Sequence, residues 1–119
     1  MKIAITAQGN TLDSKVDPRF GRAKGFILYD TDNDSFEYMD NLQNLNLPQG
    51  AGIQSAKNII NSGAQVLLTG HVGPKAFTTL SASDIEIYNG AENTVASAVE
   101  DFKNGKLTRA GDADVEGHC

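Results

Sequence analysis

The stretch Val66-Leu67-Leu68-Thr69-Gly70-His71-Val72-Gly73-Pro74-Lys75-Ala76-Phe77 constrains this chain more than any other. Val66 to Thr69 is short and mostly apolar, as expected of a strand covered on both faces. Gly70 and Gly73 bracket a turn in which the backbone can approach a neighbour closely. Pro74 suits the first position of a helix, where its missing N–H leaves no bond unmade. A strand that runs straight into a helix commits this part of the chain to an α/β arrangement. The helix start also directs N–H groups and partial positive charge into the turn, which makes it half of an anion pocket.

The rest of the chain supplies further elements of both kinds. Ile3 to Thr6 reads as a first strand, followed by a long polar loop from Gln8 to Lys24. Gly25 to Asp30 is a second strand, and the turn cluster Thr31-Asp32-Asn33-Asp34 returns Ser35 to Met39 as a hairpin. A polar loop from Asp40 to Gln49 leads to Gly50-Ala51-Gly52. There a helix opens, with Ile53, Ala56, Ile59 and Ile60 as its apolar stripe. Gly63 is placed to stop it. Phe77 and Leu80 anchor the helix after Pro74. Ile85 to Tyr88 is a fifth strand, and Val95, Ala98, Val99 and Phe102 mark a third helix. Residues 1–107 are read as one domain and 108–119 as a polar C-terminal tail, frayed as chain ends usually are.

The predicted order is βββαβαβα. A hairpin followed by two helical crossovers gives a five-stranded mixed sheet ordered 3-2-1-4-5, with helices on both faces. This is a ribonuclease H-like topology. It places all three helix starts on one edge, with the loops that follow strands one, three, four and five. Ligands of open α/β sheets bind outside the carboxyl ends of the strands. Arg19, Arg22, Lys24 and Lys75 can reach this rim, and the glycines at 50, 52, 70, 73 and 90 lie at or near it. An anion of modest size is the expected ligand.

Composition narrows the alternatives. The net charge of −5 argues against general nucleic-acid binding. No apolar run is long enough to cross a membrane. The start of the chain turns polar too soon for a signal peptide, so a cytoplasmic location is expected. The single cysteine, Cys119, excludes an intrachain disulfide.

The motifs exclude several chemistries. Gly50-Ala51-Gly52 lacks the lysine and the preceding strand of a phosphate loop. A two-metal nuclease needs carboxylates converging on the sheet, and the central strand Ile3-Ala4-Ile5-Thr6 has none. No nucleophile–histidine pairing is visible, so no enzyme is expected. His71 could ligate a borderline metal, donate to an anion, or be a plain turn residue. Phe20 either anchors its loop to the core or lines the pocket. His118 and Cys119 are read as an inert tail.

Four motifs carry a resemblance. They are Asp17-Pro18-Arg19-Phe20-Gly21-Arg22-Ala23, Gly50-Ala51-Gly52-Ile53-Gln54, Thr69 to Phe77, and Gly90-Ala91-Glu92-Asn93-Thr94-Val95. In this order they resemble the dinitrogenase iron–molybdenum cofactor-binding family, over Met1 to about Leu107. The resemblance implies a ribonuclease H-like fold and a non-enzymatic carrier of an anionic metal–sulfide cluster. A short stand-alone domain without an internal cysteine is similar to the branch that holds a molybdenum–copper sulfide cluster with no cysteine ligand. An iron–molybdenum–sulfur cluster or its precursor is the alternative cargo. The expected contacts are Asn10, Arg19, Phe20, Arg22, Gly50, Ala51, Gly52, Ile53, Gly70, His71, Val72, Gly73, Lys75 and Ala91, with His71 the one candidate metal ligand. Thiomolybdate with copper, or a preformed cluster, is the expected partner. The family also implies an alternative role, as a regulatory module docking a P-loop ATPase of the cell-division positioning type through the same rim.

Overall fold

The structure, a computed structural model, describes residues 1–45 and 50–111. His118, Cys119 and the 46–49 part of the polar loop lie outside those residues. The elements are β1 (Lys2–Ala7), β2 (Gly25–Asp30), β3 (Ser35–Asp40), α1 (Leu42–Leu45), α2 (Ala51–Asn61), β4 (Val66–Leu68), α3 (Pro74–Ala82), β5 (Glu86–Asn89), α4 (Val95–Lys103) and β6 (Thr108–Arg109).

The strands form one mixed sheet ordered β3-β2-β1-β4-β5-β6. β1 pairs antiparallel with β2 and parallel with β4, and β4 pairs parallel with β5. The expected order of the first five strands is therefore present, but the sheet has six strands rather than five. The sixth lies at the start of the span expected to be a frayed tail. Thr108 pairs with Asn89 and Arg109 with Tyr88, antiparallel, and the Ala110 N–H donates to the Ile87 carbonyl at 2.7 Å. Two exposed polar residues show no apolar alternation, so this strand joins the sheet through backbone hydrogen bonds, with Arg109 Nη1 3.9 Å from Glu86 Oε1 of β5. The short helix α1 likewise lies where a polar loop was expected.

Period-two alternation sends neighbouring residues to opposite faces and so builds two cores. Ala4, Phe26, Leu28, Leu67 and Ile87 pack with Ala56 and Ile59 of α2 and with Ala76 and Leu80 of α3. On the other face Ile3, Ile5, Ile27, Val66 and Leu68 pack with Val95, Ala98 and Val99 of α4. Helices thus cover both faces. Each fully buried side chain of the Ile59 or Leu80 kind contributes roughly 1.5–3 kcal/mol. The parallel strands and their helical crossovers then place the starts of α2, α3 and α4 on one edge, with the end of β1.

Candidate anion site at the sheet rim

The loop after β1 doubles back against the sheet. The Asp17 N–H donates to the Thr6 carbonyl at 2.9 Å, and the Thr6 hydroxyl donates to the Asp17 carbonyl at 2.7 Å. Thr69 Oγ1 lies 3.0 Å from Thr6 Oγ1. A threonine has one hydroxyl proton, and that of Thr6 is committed to Asp17, so Thr69 is the donor in this pair. The Asp17 carboxylate accepts the Arg19 backbone N–H at 3.2 Å. Beyond it, the chain runs parallel to the turn after β4. The His71 N–H donates to the Pro18 carbonyl at 3.0 Å, and the Phe20 N–H donates to the His71 carbonyl at 3.3 Å. This approach explains Gly70: a Cβ there would sit 2.5 Å from the Pro18 carbonyl oxygen.

The starts of α2 and α3 are the candidate ligand positions. Gly50 caps α2 and Gly73 caps α3, and neither helix has a side-chain cap. A glycine in the capping position leaves the first-turn N–H groups directed outward, at the positive end of the helix dipole. Ile53 of α2 lines the same groove as Pro74, Lys75, Thr78 and Thr79 of α3, a space of about 380 Å³. The Thr78 and Thr79 hydroxyls bond back to the Pro74 and Lys75 carbonyls, each at 2.9 Å. They therefore present mainly their methyl groups and stems.

The expected convergence of three helix starts requires correction at α4. The Val95 and Ala96 N–H groups donate to the Ser14 and Leu12 carbonyls, each at 2.9 Å. The Thr94 side chain accepts the Ser97 N–H at 3.1 Å. The loop after β1 has closed this helix end, which leaves α2 and α3 as the candidate site. The loop's path across α4 leaves no sequence signal, whereas Thr94 three residues before Ser97 is a readable N-cap.

The residues expected at the site fall into three groups. Asn10, Arg19, Gly50 and Lys75 are exposed. Arg22, Gly52, Ile53, Gly70 and His71 are half-buried. Phe20, Ala51, Val72, Gly73 and Ala91 are buried. Phe20 and Val72 are 0% exposed. Of the two roles open to Phe20, the structure shows the anchor: its ring lies 5.6 Å from that of Phe26 in the core, so it holds the arginine loop from below rather than lining a pocket. Val72 sits in the same core. The Ala91 N–H is committed to the Thr69 carbonyl at 3.0 Å. Among the described residues no group of three His, Cys, Asp or Glu side chains converges as a metal site. Among the described residues His71 thus belongs to no such group, and the rim offers charge and N–H groups instead. Thr78 and Thr79 complete the groove. Their place beside Lys75 on successive turns of α3 could have been read from the helical period.

Comparison with known proteins agrees with this fold. The chain is similar to the apo form of the orange protein of Desulfovibrio gigas, at 46% identity over 96% of each chain, with a TM-score of 0.93. A Thermotoga protein of the DUF35 family is 32% identical over 98% of each chain, with a TM-score of 0.84. An uncharacterized protein of Methanocaldococcus jannaschii is 28% identical over 111 residues, 92% of this chain and 91% of the relative. Residues 1–105 match the family model described as dinitrogenase iron-molybdenum cofactor. On that match, the chain belongs to the dinitrogenase iron-molybdenum cofactor family.

Proposed function

We propose that this protein is a non-enzymatic carrier of an anionic molybdenum–copper sulfide cluster, held non-covalently at the rim. The observation that carries the reading is the pair of glycine-capped helix starts, α2 and α3, that share one groove lined by Ile53, Pro74 and Lys75. Thiomolybdate and its copper adducts are compact anions with polarizable sulfide surfaces. N–H groups and cations match their charge, and the apolar walls of Ile53 and Pro74 match their surface. Membership of the family and likeness to the orange protein support a cluster as cargo. An iron–molybdenum–sulfur cluster or its precursor is the alternative cargo, and a cytoplasmic location goes with either. We read the order β3-β2-β1-β4-β5 within the six-stranded sheet as ribonuclease H-like.

Purification of the chain tests the reading. Visible charge-transfer bands with bound molybdenum and copper are the expected result, and iron with molybdenum and no copper selects the alternative cargo. A colourless chain that also fails to take up tetrathiomolybdate and copper contradicts both. Docking of a P-loop ATPase through the same rim has no separate observation in its favour.

A further inference from the structure

A buried asparagine joins the two halves of the proposed site. Asn41, between β3 and α1, is 0% exposed. Its backbone N–H donates to the Lys24 carbonyl at 2.8 Å, and its Nδ2 donates to the Ala23 carbonyl at 3.0 Å. Its Oδ1 accepts from Asn44 Nδ2 at 2.7 Å and from Ser55 Oγ at 3.2 Å. Both lone pairs of that oxygen are used. One arm therefore grips the chain directly after Arg22, and the other grips α2 one turn beyond its start. A buried, satisfied polar network of this kind is stiff, because each broken bond would strand a polar group away from water.

We propose that Asn41 is a positioning residue for the anion site, fixing the start of α2 against the Arg22 loop through Ala23 and Ser55. This rests on the carrier reading above. A cluster bound jointly by helix N–H groups and by an arginine needs the two held at one separation. Asn41 is the side chain that sets it.

Ser55→Ala separates positioning from stability. It cuts only the α2 arm, leaves Asn44 on Asn41 Oδ1, and introduces the best helix former. The measurements are titration with tetrathiomolybdate plus copper and urea unfolding, on the parent, Ser55→Ala, Arg22→Ala and the double variant. Ser55→Ala is expected to raise Kd about threefold to tenfold, the equivalent of one neutral hydrogen bond, with the urea midpoint unchanged. The double variant is expected to lose less than the product of the single effects, because without the arginine there is no separation to fix. An unchanged Kd in Ser55→Ala, or effects that multiply, overturns the positioning role alone. A parent chain that fails to bind the probe overturns the carrier reading, and the positioning role with it.

Discussion

The Thr6 hydroxyl, on the central strand, donates to the carbonyl of Asp17, eleven residues along the chain, at 2.7 Å. Both residues are buried, and the bond fixes the point at which the arginine loop leaves the sheet. Thr6→Val keeps the shape but leaves the Asp17 carbonyl and the Thr69 hydroxyl without this partner. A stability loss of about 1–3 kcal/mol is expected. Urea unfolding checks it: the midpoint should fall at constant slope, and an unchanged midpoint would show that the bond is immaterial.

Gly70 is required by a close approach rather than by a left-handed backbone. A Cβ at this position meets the Pro18 carbonyl oxygen, Cα and carbonyl carbon at 2.5, 2.7 and 3.0 Å. Because these are backbone atoms, the loop itself must move. Gly70→Ala is expected to cost about 1–3 kcal/mol and to speed amide exchange at His71 and Phe20, whose N–H groups bond across the same approach. Parent-like exchange at both amides would refute this account of the glycine.

Alkaline pH should weaken the fold through its tyrosines. The hydrogen bond to Asp34, with burial adding, raises the Tyr29 pKa above 10.0, while Lys103 pulls it down. Burial, then the bond to Glu86, raises Tyr88, and burial, then the charge of Asp40, raises Tyr38. A raised phenol pKa means that the folded chain holds the proton more tightly than the unfolded one. The contribution is full below pH 10.0 and is lost as pH rises through the folded value. The urea midpoint should therefore decline above that pH, and less steeply in Tyr29→Phe. An identical decline in Tyr29→Phe would remove Tyr29 from the explanation.

Much of this architecture could be read from the residues. The alternation of Ile3, Ile5 and Ala4, the stripe at Ile53, Ala56 and Ile59, and Pro74 at the first position of α3 were enough to order five strands and three helices. Thr108 and Arg109 were not legible as a strand, because an exposed polar pair joins a sheet through backbone bonds that any sequence can make. The candidate site was legible where it rests on glycines at helix starts, as at Gly50 and Gly73. It was not legible at α4, where the Ser14 and Leu12 carbonyls close the helix end, since a carbonyl acceptor leaves no mark in a sequence. Phe20 was ambiguous because an aromatic residue in a polar loop serves equally as a core anchor or a pocket wall.

Three substitutions rank the forces that hold the cargo. Arg22→Ala removes a charge-assisted donor and is expected to weaken retention about tenfold, equivalent to about 1.4 kcal/mol. Gly73→Pro deletes one N–H at the start of α3, and the existing φ of −79° already suits a proline ring. A larger loss in Gly73→Pro than in Arg22→Ala would make the helix ends dominant. His71→Ala is expected to be the mildest. Abolished binding in His71→Ala, with Arg22→Ala unchanged, would make His71 the metal ligand. Circular dichroism on each variant confirms folding.

The central claim is that an anionic cluster sits where the starts of α2 and α3 meet the arginine loop. Amide chemical-shift mapping during titration with tetrathiomolybdate and copper tests it most directly. The account predicts that the largest shifts fall at Arg19 to Arg22, Gly50 to Ile53 and Gly70 to Lys75, with the capped start of α4 at Val95 and Ala96 little changed. Shifts concentrated at the opposite sheet edge, around Asp30 to Ser35, would contradict it.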